Sequence, residues 1–158
     1  TDPDGTFAPE VNAFTAKFDV VVPAGTTLAR FQLFGSDTNA SDLDLYVYSG
    51  TTRVALSAGG TADELVDLVN PAAGTLSVYV HGFDTANPSP FKLTPWLVGS
   101  TDAGNMTVSA PASATLGQTG TIQLSFSGLT SGTRYLGTVA YGGAIGMPNP
   151  TVVRVDGP

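Results

Sequence analysis

The segment 42–48 constrains the fold of this chain more than any other part of the sequence. It runs Asp-Leu-Asp-Leu-Tyr-Val-Tyr, so polar and apolar side chains alternate strictly. Successive side chains of a β-strand point to opposite faces of the sheet, and the alternation therefore predicts a half-buried strand. Its apolar side carries Leu43, Leu45 and Val47. Its polar side carries a row of two carboxylates and two phenols: Asp42, Asp44, Tyr46 and Tyr48.

Short runs of this kind recur along the chain and predict an all-β protein with many turns. The composition agrees, with 19 Gly and 11 Pro, only 12% charged residues and an apolar fraction of 42% that is too high for disorder. The predicted strands are 14–22, 28–34, 42–48, 53–56, 64–69, 75–81 and 91–98, then 106–110, 121–127, 134–141 and 151–155. The glycine-rich break at 99–104 predicts two modules, 1–99 and 104–158.

Charge and cysteine content exclude several classes of function. Six basic against 13 acidic residues give a net charge of −7, which argues against a nucleic-acid partner. The chain has no cysteine, and no apolar run approaches the roughly 20 residues that span a bilayer. Low charge and abundant Thr and Ser favour a secreted protein. The start at Thr1 without a signal-peptide pattern suggests a piece of a longer, processed protein.

The first module carries a family resemblance. Three blocks occur in a fixed order: the leader 18–26, the row at 42–48 and the block Pro-Ala-Ala-Gly-Thr-Leu-Ser-Val-Tyr-Val-His-Gly at 71–82. Together they resemble the bacterial pre-peptidase C-terminal domain. That resemblance implies a jelly-roll-like antiparallel β-sandwich appended to secreted proteases.

The second module resembles the end of the same kind of protein. Segments 104–110, 132–137 and 152–156 are similar to the extreme C-terminus of actinobacterial subtilisin-like serine proteases. The resemblance implies a small fibronectin- or immunoglobulin-like β-module. It also implies a monomeric, non-catalytic accessory region whose partner is the catalytic domain of the parent protease.

No catalytic constellation is evident in the sequence. His81 is the single histidine, and a serine hydrolase of this chain would need it as the base, yet no Gly-x-Ser-x-Gly turn occurs. Asp42 and Asp44 share one face about 7 Å apart, a separation that glycosidases also use. No substrate cleft flanks them in the sequence, so we expect no enzymatic activity from this region.

A calcium site is one interpretation of the acidic row. Calcium takes six to eight oxygen ligands, and Asp42 and Asp44 together with Asp37 of the preceding loop offer several. Related secreted sandwiches often carry calcium, as the resemblance implies. In the alternative interpretation, the two carboxylates accept hydrogen bonds from loop amides or pair with Arg30.

The aromatic residues suggest a binding surface. If the neighbouring strands lie beside 42–48, five side chains share one polar-aromatic face: Tyr46, Tyr48, Tyr79, His81 and Trp96. Tyr and Trp are enriched at binding hot spots, so the face would hold a protein or polysaccharide substrate. In the alternative, the second module or the other sheet covers it.

Two functional classes follow from these patterns. The first is an accessory region that stabilises or helps fold a secreted subtilisin-like protease and holds it to its substrate or matrix. The alternative is a free-standing carbohydrate- or collagen-binding module, or a cell-surface adhesin domain.

Overall fold

The structure, a computed structural model, describes residues 2–3, 5–85, 89–143 and 149–158. Its contacts divide the chain into two compact units, 1–99 and 100–158. Eleven strands and a single 3₁₀ turn, Gly35–Asp37, make up the regular structure of the described residues. The prediction of an all-β fold is confirmed. No helix of the described residues has the length and apolar character needed to cross a membrane.

The first unit is a sandwich of two antiparallel sheets. One sheet has the order β1-β6-β3-β4 and the other the order β5-β2-β7. The strands are β1 Thr15–Val22, β2 Leu28–Leu33, β3 Asp42–Ser49, β4 Thr52–Ser57, β5 Glu64–Val69, β6 Gly74–Asp84 and β7 Leu93–Val98. Each begins and ends within about three residues of its predicted bounds. Period-two alternation marks the residues that form a half-buried strand.

The core lies between these two sheets. Leu45 and Val47 of β3 are fully buried there, as is Phe31 of β2. Each such side chain contributes roughly 1.5–3 kcal/mol relative to an exposed one. The buried cluster takes residues from both sheets: Val22, Ala29, Phe31, Leu33, Leu43, Leu45, Val47, Ala62, Val66, Leu76, Val78 and Val80. The predicted inward set of β3 is therefore correct.

Two irregularities adjust the central strand β3. Its pairing with β6 shifts register between Asp42 and Asp44, and its pairing with β4 shifts between Val47 and Tyr48. Such bulges bend a strand locally and re-aim the neighbouring side chains. As a result, β6 continues past its predicted end to Asp84, which lies opposite Asp42.

The second unit consists of two antiparallel strand pairs. β8 (Met106–Ser109) pairs with β9 (Gln123–Phe126), and β10 (Arg134–Val139) pairs with β11 (Thr151–Asp156). All four match predicted strands in position. They begin or end within about two residues of the predicted bounds.

A tyrosine organises the turn that precedes β10. The backbone N–H of Thr130 donates to the Tyr135 hydroxyl oxygen at 2.9 Å. This bond ties the turn at Thr130 to the first residues of β10. The turn is closed further by Gly157, whose N–H donates to the carbonyl of Thr133 at 2.8 Å.

Candidate functional site

The outer face of the four-stranded sheet gathers most of the predicted site residues. Tyr46 of β3 lies opposite Tyr79 of β6, and Asp44 lies opposite His81. The rings of Tyr48 and Tyr79 meet edge to face, with centroids 5.6 Å apart. The side chains of Tyr46, Tyr48, Tyr79 and His81 thus lie together, and we call them the aromatic face.

A segment that the sequence did not single out covers this face. Residues 5–13, here called the strap, lead into β1, and their Phe7 ring lies parallel to the ring of Tyr46, with centroids 3.7 Å apart and planes 4° apart. The same ring presents itself edge to face to Tyr79 at 5.7 Å and to His81 at 5.9 Å. Phe7 gives no alternation signal, because its neighbours belong to no strand. Neither of the two predicted covers, the second module or the other sheet, includes this strap.

His81 closes the polar end of the aromatic face. Its Nδ1 atom is 3.1 Å from the Thr15 hydroxyl, and its Nε2 atom is 3.5 Å from the Asp2 carboxylate. A hydroxyl, an imidazole and a carboxylate follow one another here, but the ring nitrogens are reversed relative to the serine-protease triad, in which the hydroxyl contacts Nε2 and the carboxylate contacts Nδ1. Thr15 is also only 3% exposed, so its hydroxyl cannot reach a substrate. This arrangement holds the start of β1 against β6.

Burial dominates the electrostatics of the acidic row. Asp44 is almost fully buried and accepts a hydrogen bond from the Tyr46 hydroxyl at 3.3 Å. Desolvation, reinforced by the charge of Asp42, raises the pKa of Asp44 to about 6. Burial and the charge of Asp44 raise the pKa of Tyr46 to about 12. Burial also raises the pKa of Asp42, with a further contribution from the charge of Asp84.

The predicted calcium ligands do not form a group of three acidic side chains in the described residues. Across residues 2–3, 5–85, 89–143 and 149–158, no three His, Cys, Asp or Glu side chains converge in a way that could hold a metal ion. Asp37 lies in the 3₁₀ turn and accepts from the hydroxyl of Ser36 at 3.3 Å. Asp42 and Asp44 offer two carboxylates where calcium takes six to eight oxygens. The calcium site therefore stays a prediction.

Two predicted partners lie in the other sheet. Trp96 belongs to β7, which pairs with β2 rather than with β3, so it is not part of the aromatic face; its ring contacts Phe34, with centroids 6.3 Å apart. Arg30 of β2 likewise pairs with Asp67 and not with Asp42 or Asp44. Its two donors lie 2.7 and 2.6 Å from the Asp67 oxygens. Both expectations are wrong. Alternation along one strand does not determine which strands pair, and β2 and β7 belong to a different sheet from β3.

A buried glutamate was also missed. Glu64 occupies an inward-facing position of β5 and accepts from the Ser57 hydroxyl and from the Gly59 N–H, the latter at 2.7 Å. Because β4 and β5 belong to different sheets, this carboxylate joins the two sheets at one end. In the sequence, Glu64 occupies the same alternating positions as Val66 and Leu68, whose side chains pack in or against the core.

Comparison with known proteins gives a partial match. No protein-family model matches the chain. Pyrolysin from Pyrococcus furiosus, a subtilisin-like protease, is 36% identical over 75 residues, which cover 44% of this chain and 5% of pyrolysin. The chain therefore spans only a small fraction of this relative. It contains a β-rich region that is similar to part of a protease.

Proposed function

We propose that this chain is a non-catalytic accessory region of a secreted subtilisin-like protease, and that it stabilises the parent enzyme or helps it fold. The observation that carries this proposal is the match to a stretch of pyrolysin amounting to 5% of that protein. A match of this extent fits an appended region better than a catalytic domain.

The geometry supports a role without catalysis. The one histidine, His81, is enclosed by Thr15, Asp2 and the ring of Phe7. A general base must come within hydrogen-bond reach of the proton that it removes from a nucleophile or substrate. His81 is only 1% exposed, which leaves a substrate no path to it.

The geometry also favours stabilisation over matrix binding by the tyrosine row. A carbohydrate- or collagen-binding module, or an adhesin that used Tyr46 and Tyr48, would need their faces open to the ligand. Here the Phe7 ring stacks directly on Tyr46 and lies 6.2 Å from Tyr48. The buried cluster between the two sheets supports a stabilising role.

The test compares the parent protease with and without this region. We expect the truncated enzyme to keep its kcat on a small peptide substrate but to refold in lower yield and lose activity faster on heating. Phe31→Ala in the full-length enzyme should reproduce the defect, because Phe31 is fully buried in the core. The matched change Phe18→Ala should not, because Phe18 is partly exposed on an edge strand.

Two results would contradict the proposal. The first is equal refolding yield and equal inactivation half-life of the truncated and full-length enzymes. The second is covalent labelling of the isolated chain by an active-site serine reagent, which would show that the chain itself is catalytic.

A further inference from the structure

We propose that the aromatic face is a binding site for one aromatic side chain carried on an extended peptide segment, and that Phe7 fills this site in cis. The proposal goes beyond the accessory role and holds whether or not the parent is a protease. It rests on the geometry of the Phe7 ring, on the irregular backbone of the strap and on the exposed tether that follows.

The rings around Phe7 form a cradle for a single planar group. Tyr46 provides a parallel floor at 3.7 Å, and Tyr79 and His81 provide walls at 5.7 and 5.9 Å with planes turned by 70° and 71°. Parallel and edge-to-face contacts are the two favoured arrangements of aromatic pairs. The cradle therefore selects a flat ring rather than an aliphatic side chain of similar volume.

The strap does not pair with the sheet as a strand. None of residues 5–14 belongs to a strand. The N–H of Glu10 donates to the carbonyl of Ala8, and the N–H of Asn12 donates to that of Thr15, so both bonds are local. At the end of the segment, the N–H of Gly82 in β6 donates to the carbonyl of Phe14 at 2.8 Å. Two residues before Phe7, Gly5 lies so close to the Phe83 ring that an added Cβ would be 3.0 Å from it.

The chain between Phe7 and β1 acts as an exposed tether. Pro9, Glu10 and Val11 are all exposed, and the side chain of Val11 is 67% accessible to solvent. The seven residues between Phe7 and Thr15 give a flexible-chain reach of about 15 Å. Such a short tether keeps the local concentration of Phe7 on the order of millimolar. A free peptide of equal intrinsic affinity therefore displaces Phe7 only when its own concentration exceeds the millimolar range.

The surroundings also restrict the flanks of the ligand. Asp44 accepts a hydrogen bond from the Tyr46 hydroxyl, and Asp42 precedes Asp44 by two residues at the start of β3. The whole chain carries a net charge of −7. Like charges across an interface cost affinity, so the preferred ligand has neutral or basic residues beside its aromatic side chain.

The experiment uses the intact chain and a labelled peptide with the sequence of residues 5–13, Gly-Thr-Phe-Ala-Pro-Glu-Val-Asn-Ala. Fluorescence anisotropy would measure its binding to the wild-type chain and to Phe7→Ala. We expect the peptide to bind Phe7→Ala at least tenfold more tightly than it binds wild type, because the variant leaves the site empty. The same peptide with Ala in place of Phe should bind neither protein.

Two further variants locate the site. Adding Tyr46→Ala to Phe7→Ala should weaken peptide binding at least tenfold, since it removes the floor of the cradle. Phe18→Ala is the matched control, because it deletes a phenyl group of the same size that contacts Phe91 rather than the aromatic face. It should behave like wild type.

Three outcomes would overturn the inference. The first is equal binding of the peptide to wild type and Phe7→Ala, or binding to neither. The second is loss of folded structure in Phe7→Ala, measured by circular dichroism. Phe7 would then be a residue of the hydrophobic core and not the occupant of a binding site. The third is a wild-type dimer that Phe7→Ala dissociates, because Phe7 would then fill the face of a second copy.

Discussion

Asp44 and His81 lie directly opposite each other on β3 and β6, and their side chains are only 6% and 1% exposed. Two ionisable groups are thus enclosed at the centre of one sheet, beneath an aromatic cover. Burial disfavours the charged form of a carboxyl group, which is the main reason that the pKa of Asp44 rises to about 6. The stability of the first unit should therefore depend on pH in a defined direction.

Asp44→Asn should stabilise the chain at neutral pH. The folded state holds the Asp44 proton more tightly than the unfolded state, whose carboxyl has the ordinary pKa of 3.8. The stability that this proton provides is complete below about pH 4 and is lost as pH rises through 6. We expect the variant to gain roughly 1–3 kcal/mol at pH 7.5 and to show a flatter profile between pH 4 and 6. Urea unfolding at four pH values would measure both effects.

Asp19→Asn is the control of opposite sign. Hydrogen bonds from Lys17 and Ser77 lower the pKa of Asp19, so its charged form stabilises the folded state. This contribution is present at neutral pH and is lost as pH falls through the folded pKa. The control should therefore lose stability at pH 7.5. A loss at that pH in Asp44→Asn as well would contradict the account of Asp44.

Glu64→Ala should destabilise the sandwich. Glu64 is only 3% exposed, and its removal leaves the Gly59 N–H and the Ser57 hydroxyl without their acceptor. We expect a loss of about 1–3 kcal/mol in the free energy of unfolding, measured by urea denaturation. Glu64→Gln keeps one acceptor oxygen and should lose less. Equal losses in the two variants would show that charge, rather than hydrogen bonding, matters.

Tyr135→Phe should loosen the second unit. The change removes the oxygen that accepts the Thr130 N–H before β10. We expect the melting temperature of this unit to fall by a few degrees. Hydrogen exchange should also show earlier exchange of the Thr130 amide. Tyr141→Phe is the matched control, since its hydroxyl contacts the exposed Thr151 hydroxyl, at 2.5 Å, and not the turn before β10. Equal exchange of the Thr130 amide in the two variants would show that the Tyr135 hydroxyl does not stabilise this turn.

Arg30→Lys should cost stability although it conserves charge. The Arg30 guanidinium donates two hydrogen bonds to Asp67 across the β2–β5 ladder. Lysine cannot reproduce that planar fork. We expect a loss of about 0.5–1.5 kcal/mol by urea unfolding. Lys17→Ala, which breaks a more exposed pair with Asp19, should cost less stability than Arg30→Lys. A larger loss there would reverse this ranking.

The strands could be predicted because period-two alternation is a local property. Leu43, Leu45 and Val47 show it without interruption, and these residues are in the core. The position of Trp96 could not be predicted in the same way. Its own strand alternates correctly, but the choice between pairing with β2 and pairing with β3 depends on how the whole chain folds back.

The candidate site was predictable only in part. Tyr46, Tyr48, Tyr79 and His81 meet because their strands are neighbours and their side chains have the same phase. The cover over them is Phe7, which lies outside every strand and therefore has no periodic context. A side chain that docks from an irregular segment is recognised by shape and contact in three dimensions, which no local pattern of residues expresses.

The alternation of β3 also restricts how the sheet can assemble during folding. A slip of one residue against β6 would turn Asp42 and Asp44 into the space between the sheets and would expose Leu43 and Leu45. Burying unpaired carboxylates there costs several kcal/mol for each ion. Misaligned intermediates would thus be too unstable to persist. The acidic row therefore favours a single register of β3 against β6.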